Sequence, residues 1–269
     1  MPSLRQYLTK IKRREPINYD QFLKVLPASY SHNSKQLFQV TFASNKKTKK
    51  YLVTCDEDTM NDLWQLSEPA TDRVQSTLLG DSHKQRVSAN LLMVYHREIA
   101  SSLCPDVIYV SASDTLQHFK PQKRLLLVEN EENFIQYDTF IDTLSRLTSH
   151  QIYIEDTDIA LGGGNRASSQ FLMKVYSQYD EILCAFDYDL GGLKTFRNIQ
   201  AVLGDKVHFV QPSDYSTFAN LFKKPPDSDT KLLDTIDMAN SLGFCELADI
   251  FKKTRHFMEQ ESLLAETDV

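Results

Sequence analysis

The sequence predicts an α/β protein: a mostly parallel sheet flanked by helices, with a smaller α+β segment ahead of it. Three observations predict this. From "RLLLVE" at 124–129 onward, continuous apolar runs alternate with stretches of helical periodicity, as in strands joined by crossover helices. The apolar runs lack polar alternation, which fits strands covered on both faces. Residues 1–55 differ, holding two helical patterns and then two β-rich runs around a lysine-rich tip.

With 269 residues, the chain suits one large domain or two ordinary ones. No apolar stretch approaches the ~20 residues needed to cross a bilayer, and "MPSLRQYLTKIKRRE" lacks the apolar core and cleavage site of a secretory signal. The four cysteines, Cys55, Cys104, Cys184 and Cys245, are isolated, which fits reduced thiols in a cytoplasmic protein better than a disulfide frame or a zinc site. Net charge is −6, but residues 1–50 carry eleven Lys and Arg against Glu15 and Asp20, a local +9 that leaves −15 for the rest. Such asymmetry suggests one segment that meets an anion and another that holds cations; a solvated asymmetry without function is the plainer alternative.

The elements follow in order. "SLRQYLTKIKRRE" places Leu4, Tyr7, Leu8 and Ile11 at helical spacing, and "NYDQFLKVL" repeats the pattern behind an Asn18 N-cap until Pro27 stops it. "QLFQVTFAS" and "KYLVTC" read as a hairpin with "NKKTKK" at its tip. Helices followed by a basic-tipped hairpin resemble a winged-helix module over residues 1–70, one helix short of the usual count. Lys46, Lys47, Lys49 and Lys50 would then lie on DNA phosphates without reading bases; an ordinary exposed hairpin fits equally. Residues 71–120 read as a helical linker, with "DEDTMNDLWQLS" just before it and "SHKQRVSANLLMVYHREIASSL" within it as helices. Pro121 marks the domain boundary. Residues 121–269 then alternate: strand "RLLLVE", helix "NFIQYDTFIDTLSRL", one or two strands from "QIYIE" and "DIALGGG", helix "SSQFLMKVYSQY", strand "EILCAFDYD", helix "LKTFRNIQAVLG" and strand "VHFVQP".

In such sheets, ligands sit at the carboxyl ends of the strands, and the chemistry-bearing residues fall there. Glu129 terminates one strand, and Asp187 and Asp189 in "AFDYDLGG" terminate another. Converging carboxylates repel one another unless a cation lies between them. Hard oxygen ligands in that number suit Mg²⁺ or Mn²⁺, which would serve phosphodiester chemistry. "LGGGN" puts Gly162, Gly163, Gly164 and Asn165 between a strand and a helix, with Arg166 next, a place where backbone N–H groups can approach phosphate. Five of the eight glycines fall between 162 and 192, which favours a crowded site over scattered turns. Lys194 follows the acidic pair and could neutralise part of its charge, a solvated lysine being the plainer reading. No GxSxG or HExxH element is present, which sets aside common hydrolase and zinc-protease readings.

"LLLVENEENF", "ALGGGNRASS" and "CAFDYDLGGLKTF" resemble, in order and approximate spacing, segments of the Toprim domain. The similarity is greatest to the group that joins a winged helix to Toprim: the A subunit of the archaeal-type topoisomerase and JetD, the nuclease subunit of Wadjet plasmid defence. "FMEQESLL" is similar to that group's closing helix and draws in Glu259 and Glu261. The resemblance implies a Toprim-like catalytic domain with Glu129, Asp187 and Asp189 as catalytic and metal-binding residues, and Asn130 and Glu261 as weaker candidates. It also implies Mg²⁺ or Mn²⁺, DNA as substrate, and a defence complex with an SMC-like or other ATPase. Homodimerisation would supply the two sites that a double-strand cut needs. The implied activity is a metal-dependent DNA endonuclease. The alternatives are a topoisomerase-like transesterase, with Tyr30 as the least poor nucleophile, and a non-catalytic DNA-binding regulator on a Toprim shell. A haloacid-dehalogenase-like phosphatase fits poorly, because its DxD pair lies on the first strand.

Overall fold

The computed structural model describes residues 2–44, 49–67, 87–100, 102, 104–216 and 218–268. The chain divides into two compact units, Met1–Ser88 and Ala89–Val269.

The first unit opens with α1 (Leu4–Lys12), started by a Ser3/Gln6 capping box, followed by α2 (Tyr19–Leu23), where the Asn18 side chain accepts from Gln21 N–H. Two further short helices, α3 (Ala28–His32) and α4 (Ser34–Leu37), were not legible in the sequence. The hairpin follows as predicted, β1 (Gln39–Ser44) against β2 (Lys50–Thr54), and then α5 (Glu57–Leu66), capped by Asp56. Tyr7, Leu8 and Ile11 of α1 join Phe22, Phe38, Val53 and Leu63 in one small core. Helices α1, α2 and α5 turn apolar residues into this core, as short amphipathic helices must, whereas α3 has no buried residue.

The second unit is an α/β fold built on a seven-stranded sheet in the order β5-β4-β3-β7-β6-β8-β9. Its strands are β3 (Ala89–Tyr95), β4 (Asp106–Ser111), β5 (Thr115–Leu116), β6 (Arg124–Val128), β7 (Thr157–Leu161), β8 (Glu181–Ala185) and β9 (Val207–Phe209). Strands β7, β6, β8 and β9 pair in parallel, and β3, β4 and β5 extend them by antiparallel pairs. Since β4 also points with the parallel set, the sheet is mostly parallel. Leu125 to Val128 and Ile182 to Ala185 are fully buried, which is why these strands read as unbroken apolar runs.

Helices α6 (Glu131–Ile135) and α7 (Tyr137–Leu147) connect β6 to β7; α8 (Gln170–Tyr176) connects β7 to β8; α9 (Leu190–Leu203) connects β8 to β9. The chain steps from β6 to β7 on one side, then returns past β6 to β8 on the other. Right-handed crossovers put α7 on one face and α8 and α9 on the opposite face. The carboxyl ends of β6 and β8 therefore flank the point where strand order reverses, which opens a crevice between them. Helices α10 (Asp229–Ser241) and α11 (Cys245–Thr254) follow, and a 3-10 run over Gln260–Asp268 closes the described chain.

One expectation is corrected. Residues 89–120 are not a helical linker: Ala89–Tyr95 is a strand whose Val94 and Tyr95 pair with Ala160 and Ile159 of β7, so the second unit begins at Ala89 and not at Pro121. Sheet pairing overrides the helix preference of Leu91, Leu92 and Met93. Of the one or two strands expected from "QIYIE" and "DIALGGG", the structure has one, β7; "QIYIE" is a loop that buries Ile152. Among the described residues, no helix is long and apolar enough to cross a membrane.

Candidate functional site

Three segments distant in sequence meet at the crevice. The first is Glu129, one residue past β6, whose N–H still donates to Ala185 O across to β8 at 3.2 Å. The second is Asp187-Tyr188-Asp189, just past β8. The third is residues 257–261, which run back alongside: Tyr188 and Met258 exchange backbone hydrogen bonds, and so do Lys224 and Phe257.

The carboxylates interlock through these segments. Glu129 Oε2 accepts from the Asp187 N–H at 2.9 Å. Asp187 Oδ1 accepts from Gln260 N–H and from the Asn130 amide, both at 3.0 Å. The same Asn130 amide donates to Glu261 Oε2 at 2.6 Å. Asp189 Oδ1 accepts from Gly192 N–H at 2.9 Å and so caps α9. Gly192 is required here, because a Cβ on it would stand 2.2 Å from Asp187 O. The trailing glycine of the motif thus has a folding reason of its own, and so does Asp189.

The electrostatics set this cluster apart. Burial, then the neighbouring Asp187 carboxylate, pushes Glu129 up to about 7, against the pull of the Asp187 N–H. Asp187 rises to about 6, again mainly by burial, with the hydrogen bonds from Gln260 and Asn130 opposing and the Glu261 and Asp189 carboxylates adding to the rise. Two acids held near neutrality by burial and mutual repulsion are short of positive charge. The cation acting on them is Lys224, which pairs with Glu259 at 2.5 Å and feels both Asp187 and Asp189. Sequence reading missed Lys224, since nothing in "LFKKPP" relates it to the acids.

One oxygen of each of the four carboxylates is engaged, while Glu129 Oε1, Asp187 Oδ2, Asp189 Oδ2 and Glu261 Oε1 have no hydrogen-bond partner among the described residues. Such a donor set suits Mg²⁺ or Mn²⁺. It is not a finished metal cage: among the described residues, no three His, Cys, Asp or Glu side chains are grouped closely enough to hold an ion. Binding one would require these oxygens to turn toward a common point.

The glycine loop lies beside Glu129. Gly163 and Gly164 adopt φ of +60° and +58°, a left-handed backbone that glycine takes without strain. With Gly162 they line a cavity of about 400 Å³ together with Glu129, Asn130, Glu131 and Arg166. Residues 164–166 form a 3-10 turn and α8 starts only at Gln170, so the loop does not lead straight into the expected helix terminus. Asn165 contributes backbone to the turn; its side chain lies outside the described ones. Arg166 is exposed and donates to Leu91 O at 3.3 Å.

Compared with known proteins, the chain matches no family model and no curated protein sequence. The remaining predicted site residues are placed as follows in their own units. Lys194 is exposed on α9, in a shallow groove with Asp234 and Asp237 of α10, and Lys224 takes the role expected of it. Lys49 and Lys50 are exposed at the start of β2; Lys46 and Lys47 lie outside the described residues. Tyr30, the candidate nucleophile, has its hydroxyl 3.5 Å from Asp62 Oδ2 within the first unit.

Proposed function

We propose that this protein is a Toprim-like, metal-dependent DNA endonuclease of the winged-helix-plus-Toprim type, cleaving phosphodiester bonds in the crevice between β6 and β8. One observation carries the reading: Glu129, Asp187, Asp189 and Glu261 converge at the reversal of strand order, and two of them are held near neutrality. A structural cluster of acids would be expected to carry arginine or lysine partners on its carboxylates, and among the described residues Lys224 is the basic side chain that acts on them.

In this reading Glu129, Asp187 and Asp189 hold Mg²⁺ or Mn²⁺, with Glu261 as a further ligand. The bound ion supplies Lewis-acid polarisation of a phosphate oxygen and lowers the pKa of an attacking water. The protein groups do the rest. Gly162–Gly164 let the DNA backbone approach Glu129 closely, and Arg166 offers a fixed charge and paired donors to phosphate. Asn130 and the Gln260 N–H fix the Asp187 rotamer. Lys224 offsets part of the negative charge that DNA must approach. Lys49 and Lys50 would lie on the duplex backbone, with Lys46 and Lys47 if the hairpin acts as a wing. A homodimer and an ATPase partner of the SMC type belong to the same proposal, as the resemblance implies.

The test is cleavage of supercoiled plasmid by the purified chain. Nicked or linear product is expected with Mg²⁺ or Mn²⁺ and none with chelator, with DNA ends free of protein. Asp187→Ala and Glu129→Ala should each remove the activity; wild-type rates in both variants would refute the assignment.

A further inference from the structure

The cavity beside Glu129 has one side that the acids and the glycine loop do not use. Leu91 and Met93 of β3, with Leu161 and Leu172, form an apolar wall facing Glu129, Asn130 and the glycines. Leu91 is 56% exposed and Met93 37%. Alternation along β3 puts both on one face. Register places Tyr109 opposite Leu91, Val107 opposite Met93, and Leu116 opposite Tyr109. Five large apolar side chains thus share one exposed sheet face that runs into the acidic cavity, and contiguous exposed apolar surface of this kind marks a binding site more often than chance placement.

We propose that this wall receives an unpaired nucleobase of the strand being cut, so that the substrate is DNA with at least one unstacked nucleotide beside the scissile phosphate. The inference rests on the phosphodiester-cleaving reading and deepens it. Size agrees: about 400 Å³ lies low in the ~300–1,000 Å³ range of small-molecule pockets, enough for one nucleotide and too narrow for a duplex. Chemistry agrees as well. A base presents an apolar face to Leu91, Met93 and, further along, Tyr109, stacking that tolerates any sequence. Its phosphate would then lie among Arg166, the glycine backbone and Glu129, the other residues of the same cavity. A protein partner is a poorer fit, because five partly exposed side chains fall well short of the ~800 Å² per partner in a standard interface.

The test separates base binding from cleavage by working in chelator. Fluorescence anisotropy would follow binding of the full chain to a labelled oligothymidine of about 12 nucleotides, within the ~4–16 nucleotide site sizes of single-strand grooves, and to a fully paired duplex of equal length. The wild type should bind the oligothymidine. The neutral double variant Leu91→Ser/Met93→Ser should lose ~10-fold or more of that affinity, with duplex affinity changed less than about twofold and an unchanged melting temperature. Met93→Trp should tighten oligothymidine binding several-fold. Equal weakening on both DNAs, unaltered oligothymidine affinity, no wild-type binding, or a change of oligomeric state in sedimentation would each overturn the base-pocket assignment. The endonuclease reading would outlast any of these, since it is judged by plasmid cleavage.

Discussion

The two ends of one sheet treat buried acids in opposite ways. Near the amino end of β7, Asp158 is fully buried. It accepts from Gln122 N–H at 3.0 Å and from the Tyr179 hydroxyl at 2.9 Å. Burial raises its pKa while those donors pull it back. At the carboxyl ends of β6 and β8, acids face acids, and Asp187 and Glu261 share one donor, the Asn130 amide, while single backbone N–H groups serve Glu129 and Asp187. The first arrangement holds one acid by two donors on Oδ2, while its buried Oδ1 has no hydrogen-bond partner among the described residues. The second is a charge excess that folding alone does not require, and only the second lies where strand order reverses. Carboxylates of one sheet therefore differ by what faces them, and burial alone does not distinguish them.

The largest expected effect would break the comparison if it appeared at the wrong end. Glu129→Ala or Asp187→Ala should slow Mg²⁺-dependent plasmid cleavage by at least about a hundredfold, the scale of losing a metal's charge stabilisation. Each should leave the melting temperature within a few degrees. Next, Asp158→Ala should cost ~2–3 kcal/mol in denaturant unfolding, because it strands the Gln122 N–H and the Tyr179 hydroxyl in the interior. An Asp158→Ala variant of wild-type stability would erase the distinction.

A pH experiment sharpens it further. Glu129 titrates at about 7 and Asp187 at about 6 in the folded chain, above their ordinary values of 4.5 and 3.8. Between those limits the folded state binds more protons than the unfolded one, so stability is greatest at low pH and falls as pH rises through the folded values. In chelator, the protein should be more stable at pH 5 than at pH 8. Glu129→Gln keeps an acceptor for the Asp187 N–H while deleting the charge, so it should recover ~1–2 kcal/mol at pH 8 and little at pH 5. Added Mg²⁺ should stabilise the wild type more than this variant in thermal melting. The smallest effect belongs to Lys224 and Glu259, whose side chains are 40% and 50% exposed. Glu259→Gln should shift stability by less than ~1 kcal/mol.

The parallel part of the sheet was legible because full burial on both faces leaves strands such as "RLLLV" and "EILCA" no polar interruption. The same surface that suggests a base pocket hid β3. Its outward residues Leu91 and Met93 are apolar, so the alternation with Leu92 and Val94 shows in burial and not in residue type. At the site, Glu129, Asp187 and Asp189 could be read because each ends an apolar run. The partners that hold them could not. Gln260 lies 73 residues from Asp187 and Glu261 lies 131 from Asn130, and a single sequence carries no local trace of such pairings. Lys194 drew notice by its nearness to the acidic pair along the chain, but on α9 it lines a groove with Asp234 and Asp237.

The backbone bridge between Tyr188 and Met258 also sets an order of events during synthesis. Sheet, glycine loop and acidic pair are all encoded before residue 210, yet the Gln260 N–H that donates to Asp187, and Glu261, which accepts from Asn130, lie within residues 258–261. A nascent chain still threaded through the ribosome at that point has its carboxylates without the closing segment that orients them. Assembly of the crevice is thus deferred until translation has passed those codons, a built-in delay between folding the scaffold and arming it.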